Sequence, residues 1–366
     1  MRQNKKNYYN LQDFLLSIVQ SDSNLQIDLN NSNIGVQGAS DLASCLSKYK
    51  NLQTLFLNLS LNNLGTEGAL VLGEQLQKDK DFIHIESLVI KLCSNNIQDE
   101  GVKGLSSFLN KFPHVQDLEI DLVENKIGSE GLKALSQGLT NCKLLIKLDL
   151  LLRANEIDET CMKNFGQSLN QCITLQNLTI NFCWNKIGYI GVQDFCSSYL
   201  MQSPKLKDFY LNLDNNNIGS KGVAELGINL AKCANIQTLE LEIQGAEIGD
   251  IGAKDLCQQL PNCSNLKYFH LSLHRNSIGD DTISLGSYLV EYKNLRELSL
   301  DFQFNKIKED QAIDLIIDLK KCNNIQVLRL ILRNNQIQKV LQQKLETELL
   351  KLNRLVNLFQ FNKNYN

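Results

Sequence analysis

Residues 52–65 read Leu-Gln-Thr-Leu-Phe-Leu-Asn-Leu-Ser-Leu-Asn-Asn-Leu-Gly, and this stretch decides the fold. Closely similar stretches return at residues 145–157 and 266–279. Leucine at alternate positions predicts a half-buried β-strand. A polar turn follows, and then residues 68–76, in which apolar residues return at helical spacing. A strand and a helix in each repeat predict a parallel sheet with helices on one side.

The repeat runs through nearly the whole chain of 366 residues. With the apolar residue two positions after the turn asparagine as an anchor, eleven repeats follow one another at spacings of 29 to 33 residues. The sequence therefore predicts an α/β solenoid of about eleven strand–helix repeats over residues 22–351. We expect residues 1–21 to form an N-terminal helical cap and residues 352–366 to form a C-terminal capping half-repeat and tail. The anchors are Ile34, Leu64, Ile97, Ile127, Ile157, Ile187, Ile218, Ile248, Ile278, Ile307 and Ile337.

The repeats resemble the leucine-rich repeats of the long, helix-containing kind found in ribonuclease inhibitor and Ran GTPase-activating protein. The resemblance implies a curved, horseshoe-shaped solenoid, with the parallel sheet on the concave side and the helices on the convex side. One difference is regular: the common strand pattern is L-x-x-L-x-L-x-x-N, whereas here it is L-x-x-L-x-L-x-L-x-x-N. Two further strand residues would widen the sheet by about 7 Å, at roughly 3.3 Å per residue.

An asparagine recurs at the turn of nearly every repeat. In the family that these repeats resemble, its amide bonds to backbone groups of adjacent coils, and an amide can both donate and accept hydrogen bonds. The resemblance therefore implies a structural ladder along the solenoid. Ser32 and Ala246 take the place of this asparagine in the first and eighth repeats. The ladder residues are Asn62, Asn95, Asn125, Asn155, Asn185, Asn216, Asn276, Asn305 and Asn335.

Composition argues against several classes of protein. Hydrophobic residues make up 43% of the chain and charged residues 21%, with a formal net charge of −3. No apolar run approaches the roughly 18 residues of a membrane-spanning helix, and basic residues are not in excess, so we expect neither a membrane nor a nucleic acid as a partner. The N-terminal residues lack the pattern of a signal peptide. We therefore expect a cytoplasmic, reducing environment in which all eleven cysteines are free thiols.

Residues with catalytic or metal-binding potential do not form a known motif. The cysteines lack the C-x-x-C spacing of metal sites, and five of them recur at one position after a helix, which indicates packing. The Gly-x-x-Gly motif returns in six repeats, so it indicates repeat geometry rather than a phosphate-binding loop. Only four histidines are present. The sequence predicts no enzyme activity, no metal and no cofactor.

The predicted concave face is acidic. If the leucines face the core, the residues 10, 8, 6 and 4 positions before each anchor face solvent. These include eleven acidic and five basic residues, so their net charge, five minus eleven, is −6 against −3 for the chain. Solvent-facing strand residues can simply be polar, but aromatic residues lie among these acids, which favours a basic protein ligand. The candidate partner-binding residues are Asp117, Glu119, Asp121, Asp149, Trp184, Tyr210, Asp214, Glu240, Glu242, Tyr268 and His270.

These features predict a non-catalytic scaffold for protein–protein interaction that binds a basic protein segment on its concave face. The kinds of assembly that use such repeats suggest a subunit of a larger complex, with the cilium or the cytoskeleton as further locations. The resemblance to Ran GTPase-activating protein and ribonuclease inhibitor implies an alternative, a GTPase-activating or enzyme-inhibiting regulatory protein. An assay for stimulation of candidate small GTPases would separate these two functions.

Overall fold

The structure is a computed structural model that describes residues 5–17, 22–78, 84–279, 285–338 and 356–360. The chain divides into two compact units, Met1–Lys186 and Ile187–Asn366. Each unit is built from the same strand–helix coil.

The first unit contains seven parallel strands, which pair in sequence order. They are β1 (Lys5–Tyr8), β2 (Asn24–Asp28), β3 (Thr54–Asn58), β4 (Ser87–Lys91), β5 (Asp117–Asp121), β6 (Lys147–Leu151) and β7 (Asn177–Asn181). The helices are α1 (Leu11–Leu15), α2 (Gly35–Leu46), α3 (Gly65–Lys78), α4 (Gln98–Leu109), α5 (Ser129–Leu139) and α6 (Met162–Leu169), the last preceded by the 3₁₀ turn Glu159–Cys161.

The second unit begins with a helix and contains six parallel strands, again paired in sequence order. The strands are β8 (Asp208–Asn212), β9 (Thr238–Glu242), β10 (Tyr268–Ser272), β11 (Glu297–Asp301), β12 (Val327–Ile331) and β13 (Val356–Gln360). The helices are α7 (Gly188–Ser198), α8 (Gly219–Leu230), α9 (Gly249–Gln259), α10 (Leu285–Leu289) and α11 (Glu309–Lys321), with 3₁₀ turns at Leu200–Gln202 and Leu260–Asn262.

Leucine alternation produces a sheet with two different faces. In β3, Leu55 and Leu57 are at most 2% exposed, whereas Thr54 and Phe56 between them are half-buried. The leucine face packs in the core with the helices, and we call the other one the open face. The predicted fold class, a leucine-rich-repeat α/β solenoid, is confirmed, and strands β2 to β12 correspond to the eleven predicted repeats.

Backbone pairing between coils continues beyond the strands. After β3 ends at Asn58, the N–H of Leu59 donates to the carbonyl of Lys91 at 2.8 Å, and the N–H of Leu61 donates to that of Cys93 at 2.9 Å. The paired segment thus includes the additional residues of the strand pattern, up to the turn. A sheet wider than that of the common repeat remains a prediction.

The N-terminal segment adds a strand that the sequence did not predict. Strand β1 pairs with β2 by backbone hydrogen bonds, which need no leucine pattern, and only the helical part of the cap was expected. Helix α1 is capped by Asn10, whose Oδ1 accepts from the N–H of Gln12 at 2.8 Å. Its Phe14 is fully buried between Tyr8 and Tyr49, with ring centroids 5.0 and 6.0 Å away.

Parts of three predicted segments lie outside the described residues. Residues 1–4 and 18–21 belong to the predicted N-terminal cap, and residues 79–83, 280–284 and 339–351 belong to the predicted array. In the predicted C-terminal cap, only β13 is described, and it pairs in parallel with β12. The boundaries predicted for the cap, array and tail remain predictions.

The Gly-x-x-Gly motif has a geometric role in the coil. Gly65 has a φ of 62°, in the left-handed region that glycine adopts without steric cost. A Cβ on Gly68 would lie 3.0 Å from the Cβ of Leu64 and 3.6 Å from the Cα of Val36. The first glycine therefore allows the turn into α3, and the second allows the helix to lie close to the preceding coil.

Candidate functional site

The turn asparagines connect neighbouring coils through their amides. The Oδ1 of Asn125 accepts from the N–H groups of Asn95 and Ile97 at 3.0 and 3.2 Å, and its Nδ2 donates to the carbonyls of Leu92 and Val123 at 2.9 and 3.0 Å. Asn62, Asn95, Asn155, Asn276 and Asn305 likewise accept from two backbone N–H groups. Asn185, Asn216 and Asn335 accept from the N–H of Ile157, Ile187 and Ile307. These amides hold the turns that position the open face.

A second row of asparagines lies at the opposite edge of the second unit. Their Nδ2 groups donate to backbone carbonyls of the preceding coil at 2.5 to 2.7 Å. This row was not predicted, although in these four repeats an asparagine directly before the first apolar residue of the strand pattern was a visible signal. The row consists of Asn235, Asn265, Asn294 and Asn324.

The recurring cysteines are structural. The Sγ of Cys233 donates to the carbonyl of Leu200 at 3.2 Å, and that of Cys263 donates to the carbonyl of Leu230, also at 3.2 Å. Burial raises the pKa of both thiols to about 12, which keeps them protonated and unreactive. None of the eleven cysteines, all of which lie among the described residues, forms a disulfide in this structure.

The acidic residues of the first unit are paired with lysines. Glu119 on β5 lies 2.8 Å from the Nζ of Lys91, and Asp149 on β6 lies 2.6 Å from the Nζ of Lys147. Lys147 also reaches Asp117 at 4.0 Å. The hydrogen bond to Asp149, followed by the charges of the nearby carboxylates, raises the pKa of Lys147. We call these five residues the paired cluster.

Two other predicted residues of the first unit are not part of this cluster. Asp121, also on β5, has a pKa raised by burial, while the charge of Lys91 acts in the opposite direction. Trp184 lies after β7 in the turn rather than on the strand, with 58% of its surface exposed and a φ of 57°. The structure thus brings Asp117, Glu119 and Asp149 together with lysines and leaves Trp184 at the edge.

The acidic residues of the second unit lie among aromatic residues instead. In the strand register, Tyr210 on β8 faces Glu240 on β9, and Glu240 faces His270 on β10. The Nε2 of His270 lies 2.9 Å from Glu242. We define the acidic–aromatic surface as the six predicted residues on these strands and the turn after β8. They are Tyr210, Asp214, Glu240, Glu242, Tyr268 and His270.

Electrostatic effects within the acidic–aromatic surface are strong. Burial, with a contribution from the charge of Glu242, raises the pKa of Asp214 to about 6, although the N–H of Gln244 donates to it at 2.5 Å. Burial and then the neighbouring carboxylates raise the pKa of Tyr210. Within the described ranges, Asp214, Glu240 and Glu242 form no ion pair with a lysine or arginine. The surface therefore carries negative charge with little compensation.

The comparison with protein families agrees with the repeating coil. The Leucine Rich repeat profile matches residues 53–73, 84–106 and 118–136 in the first unit and residues 210–227 in the second. These matches and the repeating coil together support a leucine-rich-repeat fold. Repeats of this class indicate a scaffold for protein–protein interaction, and proteins that carry them are typically non-catalytic. No curated protein matches the sequence significantly.

The described residues contain neither a candidate metal site nor a helix suited to cross a membrane. Among the residues whose placement is described, no group of three or more histidine, cysteine or acidic side chains could hold a metal ion. In that same part of the chain, no helix combines the length and the apolarity needed to cross a membrane.

Proposed function

We propose that this leucine-rich repeat protein is a non-catalytic scaffold whose acidic–aromatic surface binds a basic segment of a protein partner. The observation that carries the proposal is that Asp214, in the turn after β8, and Glu240 and Glu242, on β9, form no ion pair with a lysine or arginine among the described residues. Clustered like charges repel one another, and a cationic partner would offset that repulsion.

The chemistry of the surface suits lysine or arginine side chains. The carboxylates supply negative potential that steers a basic segment during encounter. The rings of Tyr210 and Tyr268, both half-buried, offer amphipathic contact area, and aromatic faces attract cations. The raised pKa of Tyr210 keeps its hydroxyl protonated, so it can donate a hydrogen bond to a main-chain carbonyl of the partner.

The paired cluster explains why the proposal places the partner on the second unit. Lys91 and Lys147 already compensate Glu119 and Asp149 at 2.8 and 2.6 Å. A basic segment would have to displace these lysines from the carboxylates. Because existing ion pairs would be broken, the net electrostatic contribution to binding would be small. The proposal therefore narrows the expected contact residues to those of the acidic–aromatic surface.

A labelled oligolysine peptide provides a direct test, because it supplies the basic chemistry without a known partner. We expect the double variant Glu240→Lys/Glu242→Lys to slow association, weaken affinity about tenfold or more and reduce the salt dependence of binding. The matched control is Glu119→Lys/Asp149→Lys, which reverses two charges in the paired cluster and should change affinity only a few-fold. Equal losses in both variants, or no binding to the unmodified chain, would refute the proposal.

A further inference from the structure

A cavity lies on the open face of the first unit, away from the paired cluster. It has a volume of about 500 Å³ and extends across β2, β3 and β4. Its strand register places Gln26 beside Phe56 and Phe56 beside Val89. The volume falls within the range of roughly 300–1,000 Å³ that is common for binding pockets.

Among the residues whose side chains the structure describes, none that lines this cavity is ionisable. Phe56 and Val89 provide adjacent apolar surfaces, and both are half-buried. The polar lining consists of carboxamides and hydroxyls: Asn24 and Gln26 on β2, Thr54 on β3 and Ser87 on β4. Such groups both donate and accept hydrogen bonds, as the N–H and C=O groups of a peptide main chain require.

A lysine beside the cavity already has a partner. The Nζ of Lys91 lies over the ring of Phe56, 5.8 Å from its centroid, and 2.8 Å from Glu119. Lys91 therefore occupies one face of the Phe56 ring, and its charge is compensated. The ring edge, the side chain of Val89 and two leucines of β2 and β3 form the apolar part of the cavity.

We propose that this cavity binds an uncharged apolar side chain, such as leucine or phenylalanine, from an extended segment of a protein partner. A charged side chain would be buried without a counter-charge, which is costly. A sugar would use the same amides and hydroxyls, but it stacks on an open aromatic face, and Lys91 covers one face of Phe56. Apart from the hydroxyl of Thr54, which donates to the Oδ1 of Asn24 at 2.5 Å, the amides and hydroxyls pair instead with the main chain of the segment. This site uses no residue of the acidic–aromatic surface, so it stands or falls separately from the proposed function.

The test is selection of a random-peptide phage library on the full-length chain. We expect enriched peptides to share an apolar residue flanked by uncharged ones and to lose at least tenfold in binding to the Val89→Lys and Phe56→Ser variants. The matched control is Val327→Lys, which alters another half-buried valine on the open face, on β12, and should leave binding unchanged. Thermal unfolding curves that coincide with that of the unmodified chain establish that the variants are folded.

Several results would overturn the proposal. These are the absence of enriched peptides, peptides that bind Val89→Lys and Phe56→Ser as well as the unmodified chain, and a charged residue at the shared position. Saturation-transfer NMR adds a further arm with two small probes, N-acetyl-leucine methylamide and methyl glucoside. Transfer to the leucine methyl groups that disappears in Val89→Lys supports the proposal, and transfer to the glucoside alone overturns it.

Discussion

Glu119 in the first unit and Glu240 in the second occupy the same position of the repeat, eight residues before the anchor, yet their surroundings differ. Lys91 pairs with Glu119 at 2.8 Å, whereas Tyr210 and His270 flank Glu240 in the strand register. The backbone of the coil is the same in both. The comparison teaches that a count of acidic residues on a repeat surface does not locate a binding site, because the neighbouring side chains decide whether the charge is available.

Both glutamates lie on the same kind of strand–helix coil, and the largest expected effect tests whether the turn asparagines stabilise that coil in both units. Asn155→Ala in the first unit and Asn276→Ala in the second each leave buried backbone groups without their amide partner. Each should lower the free energy of unfolding by roughly 1–3 kcal/mol. Asn335 is half-buried near the end of the described array. Its change to alanine should lower the free energy of unfolding by less, because terminal coils open easily. Denaturant unfolding measures all three, and a negligible loss at Asn155 and Asn276 would contradict a common ladder.

The second expected effect concerns the pH dependence of the second unit. The pKa of Asp214 is raised from 3.8 to about 6, so the native state binds more protons than the unfolded state between these values. Stability should therefore fall as pH rises from about 4 to about 6, by at most about 3 kcal/mol at roughly 1.4 kcal/mol per pKa unit. Solvent screening at this half-buried group will reduce that amount.

The variant Asp214→Asn isolates this effect. It should flatten the fall in stability and should be more stable than the unmodified chain at pH 7.5, as measured by urea unfolding across the pH range. Asp121→Asn in the first unit is the comparison: burial also raises the pKa of Asp121, but the charge of Lys91 opposes that shift, so the flattening should be smaller there. An unchanged pH profile in Asp214→Asn would show that the carboxylate is not destabilised by its surroundings.

The smallest expected effect is a change in stability that has opposite signs at the two equivalent glutamates. Glu119→Gln removes an ion pair and should destabilise the chain by about 0.5 kcal/mol at low salt and pH 8. Glu240→Gln relieves repulsion from Glu242 and Asp214 and should stabilise it by a similar amount. Shifts in the denaturant midpoint with the same sign in both variants would remove the distinction between the two clusters.

Much of the fold could be predicted from the sequence because its signals are local. The alternation of leucines predicts strands such as β3, and the spacing of apolar residues predicts the helices. Strand β1 could not be predicted, since Lys5–Tyr8 pairs through its backbone and carries no leucine pattern. A repeat pattern predicts the positions of strands and helices well where each coil has the same side chains.

The candidate site could be predicted only in part. The alternation rule places Glu119 and Glu240 on one face, but it treats them as equal. Lys91 on β4 pairs with Glu119 on the adjacent strand β5, two residues before its register partner Asp121. This contact depends on side-chain conformation. The volume of the cavity beside Phe56 depends on how far the side chains of three neighbouring strands extend from the sheet. Both features come from packing between coils, which a repeat pattern does not encode.

The central claim is that a basic ligand contacts the second unit because Asp214, Glu240 and Glu242 form no ion pair with a lysine or arginine among the described residues. Carbodiimide labelling of carboxylates, read by mass spectrometry with and without bound oligolysine, tests it most directly. The free chain should be labelled more readily at Glu240 than at the lysine-paired Glu119, and oligolysine should protect Glu240 and Glu242 while leaving Glu119 unchanged. Protection of Glu119 to the same degree, or protection of Glu119 alone, would contradict the claim.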